Sequence, residues 1–158
     1  ELLPVQRYNN IPVYMIEQDN DVYLRAYDKC PVYIQRLQTL YGTNAWRQVE
    51  RDNRALLSKL EANPLFQEYA DREGVIRLED TWNVFDAINV AKTECQNPIG
   101  TACIEDHDSA ALQTAVTDTE WTQLESLTNY AENQKYGTST AGMLLGGNLL
   151  WRILTRMK

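Results

Sequence analysis

The sequence predicts an all-α fold, an irregular bundle of four to five helices preceded by an extended N-terminal arm. Apolar residues recur at helical spacing over most of the chain after residue 45, and helix-start and helix-stop signals divide that region into segments. The chain has 158 residues, of which 44% are apolar, enough to bury one core without a metal or many disulfides. We therefore expect a single domain over 1–158, with the arm at 1–30 and the helical bundle at 45–158.

The arm and the first helix differ in composition. Residues 1–30 carry β-branched and aromatic residues broken by Pro4, Pro12 and a polar run, a pattern typical of extended segments and a turn. A helix is predicted from Ala45, where a stripe of apolar residues begins. The stripe consists of Trp46, Val49, Leu56, Leu57 and Leu60. The Asn-Pro step at 63–64 interrupts this helix, because the residue before proline disfavours helical geometry.

The next predicted helix begins at Glu79 or Asp80, whose carboxylates favour a helix N-terminus, and ends near Cys95. Its apolar face consists of Leu78, Trp82, Phe85, Ile88 and Ala91. Residues 100–116 show no helical period, so we expect a loop there.

The last two predicted helices follow that loop. The first should begin at a capping box, in which Thr117 and Glu120 satisfy each other's free backbone N–H groups, and end at Gly137. The second covers residues 140–157 and contains two consecutive glycines at 146–147. Each glycine costs about 1 kcal/mol relative to alanine inside a helix, so the pair indicates close backbone packing or a delayed helix start.

The charge of the chain excludes some partners. The formal net charge is -7, which argues against binding nucleic acid or an anionic membrane, because association would begin against long-range repulsion. No apolar run approaches the roughly 18 residues needed to cross a bilayer. The first residues also lack the basic and apolar regions of a secretory signal, so we expect a mature or excised segment.

The sole histidine, His107, lies in an acidic stretch whose carboxylates favour its charged form. A metal site there is one interpretation, but one imidazole among loop carboxylates is a weak signal, and a surface histidine is the simpler one. Grouping Cys103 and Asp108 with His107 matches no nucleophile motif. No arginine cluster adjoins His107 in sequence, and we expect no arginine-lined phosphate site among these helices. The sequence therefore predicts no catalytic residue, no metal and no cofactor.

Three cysteines, Cys30, Cys95 and Cys103, leave at least one thiol without a partner inside the chain. Cys95 and Cys103 flank a stretch rich in turn-forming residues and are candidates for a short loop disulfide. Cys30 would then be left over, and a buried reduced cysteine is the alternative. Disulfides would indicate a secretory or lysosomal compartment.

Several segments resemble the histidine acid phosphatase family. They are Ile-Pro-Val at 11–13, the Cys-Pro step at 30–31, Trp-Asn-Val-Phe-Asp at 82–86 and the tail at 141–158, whose Gly-Gly-Asn-Leu-Leu sequence is the most specific. In that family these segments belong to a helical cap. The family's catalytic Arg-His-Gly-x-Arg-x-Pro loop lies before the cap and its His-Asp pair lies after it, and this sequence contains neither.

The resemblance implies the cap of a parent enzyme that hydrolyses phosphomonoesters at acidic pH through a phosphohistidine, without metal. The partner would be an α/β phosphatase core, and the substrate a phosphorylated small molecule or phosphoprotein. This chain alone would be inactive. The resemblance further implies that Cys30 forms a disulfide with a cysteine of the core. It also implies a secreted or lysosomal, lumenal location.

The same resemblance implies four candidates for the substrate cleft, namely Trp82, Asp86, Arg25 and Lys29. Arg25 and Lys29, together with Arg36, lie where the family's arm passes the mouth of the active site. A solvated surface charge is the alternative for these cations, and a place in the core is the alternative for Trp82.

Two other functions remain open. The chain is alternatively a free-standing, secreted helical module that binds a partner. An excised cap should expose a wide apolar face and an unpaired Cys30, whereas an independent module should bury both. A complete small enzyme built around His107 is the third possibility.

Overall fold

The computed structural model describes residues 16–94 and 107–157, and these residues form an all-α fold. Within these two ranges there are eight α-helices, three short 3-10 helices and no strand. The α-helices are α1 (Ala26–Lys29), α2 (Pro31–Tyr41), α3 (Asn44–Asp52), α4 (Arg54–Glu61), α5 (Thr81–Glu94), α6 (His107–Gln113), α7 (Asp118–Tyr136) and α8 (Ser139–Arg156). The 3-10 helices are Gln18–Asn20, Pro64–Tyr69 and Leu78–Asp80. The predicted fold class is confirmed.

The helix ends follow from local side-chain chemistry. The predicted capping box at α7 is present, with the Thr117 hydroxyl accepting from the backbone N–H of Glu120 and the Glu120 carboxylate accepting from that of Thr117. The predicted stop at Gly137 is also confirmed, and its N–H donates to the carbonyl of Asn133 at 2.8 Å. A Cβ at Gly137 would lie 2.5 Å from that carbonyl oxygen, which explains why glycine stands there.

Helical structure begins earlier than predicted. Residues 26–29 are helical, so the extended arm at 1–30 is wrong for that part, whereas residues 1–15 lie outside the described ranges. The helix α2 also precedes the predicted bundle boundary at residue 45. Pro31 occupies its first position, where the fixed φ of proline favours a helix start. Tyr33, fully buried, attaches α2 to α7 by donating its hydroxyl to the carbonyl of Lys135.

Two further boundaries differ from the prediction. The single helix expected from Ala45 to the Asn-Pro step is two helices, α3 and α4, which meet at Asn53. The side chain of Asn53 donates to the carbonyl of Val49 at 2.8 Å and so competes with continued helical pairing. The expected loop at 100–116 contains the helix α6. The bundle therefore has more and shorter helices than the four to five predicted.

The core lies between the α3–α4 pair, α5 and α7. It is one cluster of buried side chains: Trp46, Leu56, Leu57, Leu60, Phe66, Ile76, Leu78, Val84, Ile88, Val116, Leu124, Leu127 and Ala131. Most of the apolar stripes predicted from sequence supply this cluster. Trp82 does not, because 45% of its surface is exposed. Trp121 is half-buried and stacks on Phe85 with ring centroids 4.7 Å apart.

Arg36 fixes the corner between α7 and α8. Its guanidinium donates to the carbonyls of Gln134 and Lys135, at 3.1 and 3.0 Å, and to the Thr138 hydroxyl at 3.1 Å. The two carbonyls are among those that the C-terminus of α7 leaves unpaired, and a cation is favoured there by the helix dipole. Arg36 is thus a structural residue rather than a free surface charge.

The helix α8 runs without interruption through Gly146 and Gly147. The expected delay of the helix start is therefore wrong. A Cβ at either glycine would meet nothing within 4 Å, so the expected close packing is also wrong for the described chain. The inner side of α8 packs on α1, α2 and α7, with Ala141 fully buried. Over the described residues, no helix has the length and apolar character that a membrane span requires.

Candidate functional site

A cleft of about 450 Å³ lies between α1, α5 and α7 and contains the predicted residue Trp82. Its lining consists of Tyr27, Glu79, Trp82, Asn83, Glu132, Lys135 and Tyr136. Three of these are aromatic and exposed by 42 to 48%. The rings therefore form a partly open apolar wall, which suits the organic part of a small ligand.

Lys135 is the cation in this lining, and it is already engaged. Its side chain is only 9% exposed, and its Nζ lies 2.5 Å from a Glu132 carboxylate oxygen. The ammonium also donates to the backbone carbonyl of Glu79 at 3.3 Å and lies 5.9 Å from the Tyr136 ring centroid. Because the charge is paired within the protein, Lys135 stabilises the walls of the cleft and is not a free anion ligand.

The four predicted cleft residues are only partly brought together. Trp82 lines the cleft, and the Arg25 guanidinium lies 5.8 Å from the Tyr27 ring centroid, beside the cleft wall, while pairing with Asp28. Lys29 pairs with Asp19 at 3.5 Å.

Asp86 is exposed on α5, one helical turn after Trp82. Burial raises the pKa of the Tyr69 hydroxyl, and the charges of Glu68 and Asp86 add to this effect. Lys29 and Asp86 are therefore not among the residues that line this cleft, and their place at a substrate cleft between cap and core stays a prediction.

The cysteine and histidine predictions are mostly untested. Cys95 and Cys103, the disulfide candidates, lie outside the described residues, as does the side chain of His107, whose backbone begins α6. Cys30 is half-buried, and its thiol is bonded to no residue that the structure describes. Within 16–94 and 107–157, no group of three or more His, Cys, Asp or Glu side chains is arranged to hold a metal ion.

The outer side of α8 is an exposed apolar surface, which we call the α8 face. It consists of Met143, Leu150, Ile153, Leu154 and Met157, exposed by 47 to 78%. Successive members of this set are seven, three, one and three residues apart, which places them on one side of the helix. Gly146 and Gly147 lie between Met143 and Leu150 on the same side. Trp151, 69% exposed, borders the face. Continuous apolar surface of several hundred Å² marks an interaction site on a protein surface.

A second cavity, a groove of about 540 Å³, is lined by four arginines, which we call the arginine groove. Arg47, Arg51 and Arg54 come from α3 and α4, and Arg77 comes from the segment before α5. The remaining lining is Gln38, Tyr41, Gly42, Trp46, Glu50 and Glu79. These helices therefore carry a cavity lined by arginines, and the expectation that they hold no arginine-lined phosphate site stays a prediction. The spacing of the first three arginines, i, i+4 and i+7, was the available sequence signal, since it places them on one helical side.

Comparisons with protein-family models, curated proteins and solved structures found no match.

Proposed function

We propose that this chain is the helical cap of a histidine acid phosphatase-like protein and that it functions packed against a separate α/β core. The core would supply the phosphohistidine and the acid that hydrolyse a phosphomonoester, while the cap would shape the cleft. One observation carries this proposal: the α8 face is exposed in the described part of the chain. The sequence of α8 is also the most specific part of the family resemblance.

The energy of the α8 face supports a docking role. Each Å² of apolar surface that a partner removes from water contributes about 25 cal/mol before the entropy of association is subtracted. Gly146 and Gly147 would let a partner backbone approach the helix closely, because no side chain stands above them. This gives the two glycines a physical reason that the isolated chain does not provide.

The candidate cleft supports a role in substrate selection rather than chemistry. Trp82 and Tyr27 offer exposed rings, and the lining of the cleft contains no histidine, cysteine or serine. The lining of the arginine groove contains none either. Because neither cavity contains the histidine that the family uses as its nucleophile, we expect no turnover by this chain alone. A secreted or lysosomal location would follow from the family resemblance.

The test compares this chain with its parent, expressed from the gene region on both sides of the segment. The parent should hydrolyse a generic aryl phosphate, and this chain should show no turnover above a heat-killed control. In the parent, Trp82→Ala should raise KM for a bulky aryl phosphate and leave inorganic pyrophosphate turnover unchanged. Val90→Ala, an exposed apolar position on the same helix, is the matched control. A parent without the Arg-His-Gly loop and the His-Asp pair would contradict the proposal.

The alternative is a free-standing binding module, which should bury its apolar surface and Cys30 within the chain. A hydrophobic dye separates the two proposals, because a cap should bind the dye as the isolated chain and lose that binding in the parent. A module should bind little dye as the isolated chain. Titration of the Cys30 thiol in the parent adds a second readout, since the family resemblance implies that it is bonded there.

A further inference from the structure

Two of the four arginines in the arginine groove form no ion pair with the part of the chain that the structure describes. Arg54 pairs with Glu61, and Arg77 pairs with Asp71 at 2.9 Å. Arg47 forms no ion pair and no side-chain hydrogen bond with any described residue. Over 16–94 and 107–157, Arg51 donates only to the neutral amide of Gln48, at 2.6 Å. Two exposed guanidinium groups, one helical turn apart on α3, thus line the cavity with their charge uncompensated at close range.

A second observation concerns the indole of Trp46. Trp46 lines the same groove and is only 2% exposed, and its Nε1–H makes no hydrogen bond of good geometry among the described residues, although the Glu79 carboxylate lies close enough to interact with it. A buried donor without a partner costs about 1–3 kcal/mol, and such groups are rare in folded proteins. The Tyr41 ring packs on this indole with centroids 4.9 Å apart and forms an aromatic floor.

We propose that the arginine groove binds the phosphate group of a phosphorylated small molecule. Arg47 and Arg51 bind the phosphate oxygens, for which the planar guanidinium fork is suited, and the Trp46 N–H donates to the ligand at the floor. A volume of about 540 Å³ accommodates a ligand of metabolite size. This site does not depend on the cap assignment, because all of its residues belong to the described chain.

Two carboxylates in the groove, Glu50 and Glu79, oppose an anion and make its binding dependent on pH. Burial raises the pKa of Glu79, and the charges of Asp80 and Glu50 raise it further. The charged or titratable groups around Glu79 are Arg77 and Asp80 beside it, Glu50 on α3, Tyr41 on α2, and Glu132 and Lys135 on α7. Because Glu79 takes up a proton at a higher pH than an ordinary glutamate, acidification removes a negative charge from the groove and should strengthen anion binding.

The experiment is a calorimetric titration of the full chain with inorganic pyrophosphate at low ionic strength. We expect saturable binding that becomes at least tenfold weaker in the double variant Arg47→Gln/Arg51→Gln. Arg72→Gln/Arg156→Gln removes two exposed arginines outside the groove and is the matched control, which should change affinity less than twofold. The proposal would be overturned if pyrophosphate did not bind, or if the groove double variant and the control double variant weakened its binding equally.

Two further readouts test the geometry. The Trp46 indole N–H resonance should shift on adding pyrophosphate, and Trp46→Phe, which keeps the aromatic ring, should bind several-fold more weakly. Sulfate, whose charge is constant above pH 4, should bind more tightly as the pH falls from 7 toward 4, and Glu79→Gln should remove most of that difference. An unmoved indole resonance, or an equal pH dependence in Glu79→Gln, would contradict the placement of the anion. Failure here leaves the dye and turnover tests of the cap unaffected, so the two proposals fail separately.

Discussion

Replacing Arg36 with alanine tests the account of the α7–α8 corner. The change removes three hydrogen bonds from one guanidinium, to Gln134, Lys135 and Thr138. A hydrogen bond to a charged group contributes about 1.5–3 kcal/mol when buried, but two of these three are exposed, and we expect a total loss of about 2 kcal/mol. For a chain of this size, that loss should lower Tm by roughly 4–8 °C.

The assay is urea unfolding followed by circular dichroism, with Arg51→Ala as the control. Arg51 is an exposed arginine whose one hydrogen bond is to Gln48 on its own helix, so its removal should cost less than about 0.5 kcal/mol. Tyr33→Phe also removes a bond to the Lys135 carbonyl, and its effect should therefore not add to that of Arg36→Ala. A change below 0.5 kcal/mol for Arg36→Ala, or full additivity with Tyr33→Phe, would refute the reasoning.

The remaining predictions concern helix ends, the α8 face and acid stability. Thr117→Ala should lower the free energy of unfolding by about 1 kcal/mol in urea unfolding, because α7 loses its capping hydroxyl; an unchanged midpoint would contradict the cap. Gly147→Ala should stabilise the isolated chain by about 0.5–1 kcal/mol, since a Cβ there meets nothing within 4 Å, and should weaken docking in the parent. Hydrogen bonds from Lys59 and Thr117 lower the pKa of Glu120 to about 2, so its stabilising effect should be present above pH 4.5 and be lost as the pH falls toward 2. Glu120→Gln should flatten the stability curve in that window, and an unchanged acid titration would contradict the assignment.

Local signals predicted the parts of the fold that local chemistry decides. The capping box at Thr117 and the stop at Gly137 depend on residues within one turn, and the apolar stripe beginning at Trp46 follows from helical spacing. The helix α2 escaped prediction because its stability comes from distant contacts, chiefly Tyr33 and Arg36 against the end of α7. Such contacts leave no periodic signal in the sequence.

The sites were harder to predict than the fold. Helical spacing placed Trp82 in the core, which is wrong because 45% of its surface is exposed, whereas its place at a substrate cleft, implied by the family resemblance, stays a prediction. Lys29 and Asp86 do not line the Trp82 cleft, because position near a cleft residue in sequence does not set the direction of a side chain. The arginine groove combines α3, α4 and Arg77, which only the folded chain brings together.

The central claim is that the α8 face is an interface with an α/β core, and cysteine labelling tests it most directly. Leu150→Cys places a thiol in the centre of the face, and Ser126→Cys places one at an exposed position on α7. Labelling of each site is followed by peptide mass spectrometry in the isolated chain and in the parent. The account predicts rapid labelling of both sites in the isolated chain and at least a hundredfold protection of position 150 alone in the parent. Equal labelling of position 150 in both proteins would contradict it.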